Sequence, residues 1–256
     1  MSELFDWRIV GPPLLAGLLV LSTHVLLGRE VLRRGIIFID LAIAQIAVLG
    51  VIVAQLLGWP EGGWQTQAAA LAAALMGALL LHGFERFWPR QQEALIGISF
   101  VLAASGALLL SAGSPHGAEH LQELLSGQLL WVGWRQLQWI AGLYVLILLA
   151  WNLLGYQGRR FYLLFALAVT ASVQVVGVYL VFASLIIPAL AIRHLPRKQG
   201  LVAGYVIGGM AYAGGLLLSS WYDWPAGPVV VWLLGVVALC AGWLATAVGM
   251  AATGRD

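Results

Sequence analysis

The chain is cut into stretches of about twenty apolar residues, and the connections between them hold most of its charge. Such stretches fall near residues 8–27, 35–57, 65–84, 94–112, 136–154, 200–218 and 228–250. About twenty helical residues cross the roughly 30 Å hydrocarbon core of a bilayer. An eighth stretch, 161–192, has 32 residues and is too long for one comfortable crossing. Its middle, 170–177, holds polar side chains and a glycine, which predicts two short helices or a re-entrant hairpin. Lipid tolerates such a break only where protein surrounds it. The first stretch lacks the basic start and small-residue cleavage site of a signal peptide, so it is read as a mature helix.

Composition closes the other routes. Hydrophobic residues make up 61% of the chain and charged residues 9%, against about 25% charged in soluble domains. Too little polar surface exists to face water. The single Cys240 excludes a disulfide scaffold, and a net charge of +2 gives no footprint for nucleic acid. The expected fold is an all-α polytopic membrane protein. It has seven full apolar spans plus a broken or doubled segment at 161–192, about eight to nine transmembrane helices, in one transmembrane domain covering 1–256.

The basic residues set an orientation. Of 13 Lys and Arg, ten lie in four connections: Arg29/Arg33/Arg34, Arg86/Arg90, Arg159/Arg160 and Arg193/Arg197/Lys198. The connections near 58–64, 113–135 and 219–227 hold only Arg135. The positive-inside rule places the basic connections and the C-terminus in the cytoplasm and the N-terminus outside. That assignment requires 161–192 to begin and end on the same side, so the charges independently support a broken segment. Trp59, Trp64, Trp88, Trp131, Trp134, Trp221 and Trp224 cluster at segment ends, as an interfacial belt does. Gly204 and Gly208 form a small-residue face, for packing within the chain or between subunits.

Nothing here binds a nucleotide: the only lysine, Lys198, is followed by Gln199, not by the Ser or Thr of a phosphate loop. Nor is there a nucleophile beside a base, so catalytic residues are not expected and the chain is not an enzyme. Ionisable groups inside a membrane are functional candidates by default. Asp40, about one turn into the second helix, leads, with Gln45 offset from it by about 140°. Asp40 either lines a path or pairs with Arg33 or Arg34. Thr170, Ser172 and Gln174 either satisfy the broken backbone or line the same path. His24 and His82 read as packing or interfacial residues. In the outer loop, His116 and His120 lie four apart with Glu119 between them, a spacing that can hold a divalent metal at an entrance. The same pattern matches an inverted zinc-peptidase signature, but that reading needs a soluble domain and further ligands.

Five segments, in order, resemble the permease subunits of zinc/manganese/iron ABC importers. They are 35–50 (GIIFIDLAIAQIAVLG), 93–98 (EALIGI), 125–130 (LSGQLL), 176–189 (VGVYLVFASLIIPA) and 224–229 (WPAGPV). The resemblance implies a type II-like importer permease in a bacterial inner membrane, paired with itself or with a second permease. It further implies a cytoplasmic ATPase, a periplasmic or lipid-anchored binding protein, and a divalent metal cation as cargo, with no cofactor bound by this chain. Two departures stand out. The family's Asp and His, four apart on helix two, correspond here to Leu41 and Gln45, with Asp40 the nearest acid; the variant Asp-Leu-Ala-x-Ala-Gln segment marks a subgroup. The family's Asp-Pro-Glu-x-Ala stretch, which forms the coupling helix on the ATPase, is replaced by the short 154–160 connection. ATPase docking is therefore expected at Phe87 and Trp88 together with Arg159 and Arg160. A permease for a non-metal solute and an ATPase-independent channel or carrier are the competing readings.

Overall fold

The computed structural model describes residues 7–60, 62–111, 122–123, 125–127 and 129–253, with side chains between 10 and 243. Eight long helices carry it. They are α1 (Trp7–Arg34), α2 (Ile39–Leu56), α3 (Trp64–Phe87), α4 (Gln92–Ser111), α5 (Trp134–Leu154), α6 (Arg159–Ala191), α7 (Arg197–Tyr222) and α8 (Ala226–Thr253). A single 3-10 turn, Leu129–Trp131, precedes α5, and no strand occurs among the described residues. All eight helices are long and apolar enough to cross a membrane. The chain is an all-α polytopic membrane protein.

Gly58, at φ +80°, follows α2, and Pro196 caps α7. The arginine clusters gather at one end of the bundle, called here the basic end; residues 58–60, 62–63 and 223–225 lie at the far end.

The anticipated break lies inside α6, at Gly177, whose φ of 78° and ψ of 165° are non-helical. Thr170 and Ser172, predicted to share in the break, sit in regular helix. Contacts show that the chain doubles back. Phe161, at the start of α6, lies under the guanidinium of Arg34 at the basic end of α1. Gly177 abuts Gly127 at the far end. Beyond it, Leu185 and Ala189 are again close to Gly28, near the basic end. The outgoing limb, 159–176, is about 27 Å long and the returning limb, 178–191, about 21 Å. Both ends of the long segment thus lie on the same side, as the charges required.

Close backbone approach holds this hairpin at its tip. A Cβ on Gly177 would stand 2.3 Å from the Gly127 nitrogen, and one on Gly227 would stand 2.5 Å from the Ser126 carbonyl oxygen. Three glycines from three parts of the chain therefore close the far end together. The hairpin is the core, packed by α1, α2, α3, α5, α7 and α8. In lipid the hydrophobic effect does not drive helices together, so small residues that admit close contact carry more of the packing. Gly204 meets Val25 and Gly208 meets Leu21 of α1. The Gly204–Gly208 face is thus used within the chain.

At the basic end one arginine joins four pieces of chain. Glu30 is buried and accepts hydrogen bonds from Arg33 and from Arg34 at 2.7 Å. Arg34 also donates to Glu85 of α3 and to the Tyr156 carbonyl oxygen, both at 3.1 Å, and covers the Phe161 ring at 4.2 Å. The α5–α6 link is thereby tied to α1 and α3.

Candidate functional site

Asp40 lies in the first turn of α2 at the basic end, 1% exposed. No side chain bonds either carboxylate oxygen; the backbone N–H groups of Asp40 and Leu41 lie near them without forming full hydrogen bonds. The pairing with Arg33 or Arg34 considered from the sequence does not form, because Glu30 and Glu85 take those guanidiniums. The α2 N-terminus offers only its partial positive charge. Glu93, at the start of α4, accepts the Phe38 N–H at 3.3 Å with one oxygen, while its other oxygen is buried and unpartnered. Gln45 is buried further along α2. An unsatisfied buried carboxylate in a native fold calls for an explanation such as a bound ion or water. Sequence reading found Asp40 but not Glu93, whose role depends on a contact 55 residues away.

The polar residues of α6 separate into two environments. Ser172 is buried and engaged: its hydroxyl donates to the Ala168 carbonyl oxygen at 2.6 Å and is hydrogen-bonded to the Tyr144 hydroxyl. Across the hairpin Ser184 and Tyr212 make a matching pair at 2.9 Å. Thr170 and Gln174 instead line a cavity of about 610 Å³ between α3, α5 and the outgoing limb, where Gln67 and Gln136 join them. The Thr170 hydroxyl is buried without a partner there. This far-end cavity holds no charged residue and sets three amides and one hydroxyl among apolar walls, so carbonyl oxygens are at hand for loose coordination. Gln67 and Gln136 were not legible beforehand, since each lies in the first turn of a helix where a polar residue is ordinary. The structure therefore does not gather the expected path residues into one site. Asp40 stands at the basic end and Thr170 and Gln174 stand at the other.

Histidines contribute little along this axis. His24 is fully buried, with Nδ1 2.8 Å from the Val20 carbonyl oxygen, and His82 bonds to Glu85 at 3.1 Å beside the Tyr162 ring. His116, Glu119 and His120 lie outside the described residues. Among those described, no three His, Cys, Asp or Glu side chains come together as a metal cluster.

The residues expected to meet a partner are exposed at the basic end. Phe87 and Trp88 are 68% and 54% exposed and meet edge to face, with Arg86 over the Phe87 ring. Arg159 and Arg160 are exposed, and Arg160 donates to the Leu154 carbonyl oxygen, closing the turn. The link itself is only residues 155–158, with Gly155 and Gly158 both at positive φ. It contains no helical turn.

Comparison with known proteins agrees with this architecture. The pattern of the ABC 3 transport family matches residues 7–158 and 157–245. The high-affinity zinc uptake system membrane protein ZnuB of Haemophilus influenzae is 38% identical over 71 residues. That match spans 27% of this chain and 27% of the relative's length. PsaBC from Streptococcus pneumoniae, solved in complex with Fab, superposes with a TM-score of 0.73 at 19% identity, covering 94% of both chains. An inward-facing conformation of a metal-chelate type ABC transporter gives 0.67 at 17% identity, covering 89% of this chain and 85% of that one. At these identities the structural likeness establishes the fold alone.

Proposed function

The chain belongs to the ABC 3 transport family, and from that premise we propose that it is the membrane permease subunit of an ABC importer for a divalent metal cation such as zinc, manganese or iron. The carrying observation is the family match over nearly the whole chain, joined to a broken hairpin helix closed at its tip by glycines. The name of the zinc uptake relative supports a metal as cargo. The permease sits in a bacterial inner membrane with the basic end and C-terminus cytoplasmic and the N-terminus outside. A cytoplasmic ATPase supplies the energy, a periplasmic or lipid-anchored protein delivers the cation, and two permeases pair around the path.

The proposed path links polar residues at the two ends of the bundle. Cation enters past the loop holding His116, Glu119 and His120, passes the amide-lined cavity of Thr170 and Gln174, and leaves beside Gln45 and Asp40. Ser172 braces the hairpin through Tyr144. A neutral amide is a poor transition-metal ligand compared with imidazole, so such a path holds metal weakly and releases it readily. The shortened link moves ATPase contact to Phe87, Trp88, Arg159 and Arg160. The test is uptake of radioactive zinc, manganese and iron by cells carrying the permease, its neighbouring ATPase and the binding protein. Metal uptake that stops when the ATPase is deleted supports the reading. Uptake that persists without the ATPase would favour a channel or carrier, and absence of uptake for all three metals a non-metal solute.

A further inference from the structure

The basic end holds a second cavity, distinct from the docking surface just described. About 590 Å³ in volume, it opens between α1, the end of α5, the returning limb of α6 and the start of α7. Arg29, Arg33, Arg193 and Arg197 line it, with Glu30. The negative charge of Glu30 is already taken by Arg33 and Arg34. Arg29, Arg193 and Arg197 have no carboxylate within ion-pair reach among the described residues. Arg29 donates to the Arg197 carbonyl oxygen at 3.4 Å and packs over Gly200, neither of which carries a negative charge. Three like charges thus face one space without a counter-ion. Guanidinium groups suit phosphate because their planar donors match its oxygens in pairs.

Beside this cavity, and sharing Leu190 and Arg193 with it, runs a groove of about 950 Å³ between the returning limb, α7 and α8. Its walls are mostly apolar, with small residues such as Ala203, Gly235 and Ala238 beside larger ones such as Ile207 and Leu239. Ile207 is ten residues into α7, so the groove reaches about 15 Å from the basic end along the helix. A soluble protein docked at the cytoplasmic surface does not reach that depth within the hydrocarbon core. An acyl chain does.

We propose that the two spaces together hold one anionic phospholipid, its phosphate among Arg29, Arg193 and Arg197 and an acyl chain along the α7–α8 groove. Basic pockets between helices on the cytoplasmic side are the physical form of anionic headgroup recognition. Here a groove continues from the charge, so headgroup and chain are both accommodated. This inference stands on the two cavities and does not depend on what the permease transports.

The test uses the full chain, purified in mild detergent and stripped of lipid, then titrated with phosphatidylglycerol, cardiolipin, phosphatidylcholine or inorganic phosphate. Bound lipid is counted by native mass spectrometry and unfolding is followed by thermal shift. Phosphatidylglycerol and cardiolipin should be retained and raise Tm, and phosphatidylcholine should do neither. Arg193→Gln with Arg197→Gln should weaken retention by roughly 30-fold, whereas Arg86→Gln with Arg90→Gln, which removes as much charge elsewhere on the same end, should not. Ala238→Phe fills the groove and should lower retention with every arginine in place. Equal retention of phosphatidylcholine, or unchanged retention in the arginine pair, would overturn the proposal. Stabilisation by inorganic phosphate alone equal to that by lipid would reduce the site to a free-anion site and overturn the groove's part. Cys240 is exposed on α8, between the groove-lining Leu239 and Ala241. Its efficient cross-linking to Cys240 of a second copy, unaffected by added lipid, would assign the groove to a subunit contact and overturn the lipid.

Discussion

Asp40 and Arg34 are charged groups a few residues apart, and their surroundings give them opposite tasks. Arg34 is satisfied several times over, by Glu30, Glu85, the Tyr156 carbonyl oxygen and the Phe161 ring. It is a structural tie. Asp40 is buried more deeply, and no side chain bonds either of its oxygens. A buried charge without a partner lowers stability, so a structural role alone does not account for it. Asp40→Asn keeps the shape and removes the charge. Metal uptake should fall by about tenfold, the size of one charge-assisted contact, while membrane insertion is retained and Tm holds or rises. Wild-type uptake in that variant would leave Asp40 without a transport role. His116→Ala with His120→Ala should lower uptake only at limiting metal, because an entrance site raises local concentration without defining the path.

At the scale of elements, the hairpin in α6 shows what could and could not be read ahead. Length announced it, since a largely apolar stretch of 32 residues exceeds one crossing, and the arginines on both flanks required a return. The turning point was less legible. Thr170, Ser172 and Gln174 all looked like members of the break, yet only Gly177 leaves helical geometry. What fixes it there is the backbone of Gly127 from a distant loop, a tertiary contact that no local pattern carries. The same limit hid the far-end cavity, whose Gln67 and Gln136 come from helices remote in sequence. Gly177→Ala puts a side chain where φ is positive and the Gly127 nitrogen is 2.3 Å away. It should cost about 2–4 kcal/mol, seen as a lower thermal midpoint in detergent. Gly97→Ala, in the middle of α4 with open space around its added methyl, should be neutral or slightly stabilising. Equal effects at the two positions would mean that the tip contact does not hold the hairpin.

For the whole molecule, the sidedness of the bundle governs everything proposed about transport. Single cysteines placed, with Cys240 replaced by Ser, in the 29–34, 86–91, 159–160 and 193–198 connections should be shielded from an impermeant thiol reagent added outside. Cysteines at 60–63 and 114–120 should react. Labelling of 193–198 from outside while 159–160 stays shielded would contradict the hairpin, which returns both to one side.

Coupling to an ATPase is the other whole-molecule question, because energy reaches a permease only through a contact that differs between two states. The link at 155–158 has no helix to offer. The exposed aromatic pair on the α3–α4 connection and the arginines at the start of α6 flank this link, and Arg34 ties it to α3 through Glu85. A push on Phe87 and Trp88 would therefore be felt at the start of the hairpin. Co-purification with the neighbouring ATPase, with permease-stimulated hydrolysis as a second readout, tests this. Phe87→Ala with Trp88→Ala, and separately Arg159→Ala with Arg160→Ala, should each weaken the complex. Burial of one aromatic anchor contributes about 1.5–3 kcal/mol, so the aromatic pair should cost at least tenfold in affinity. A stable complex with undiminished hydrolysis in both pairs would place the contact elsewhere on the basic end.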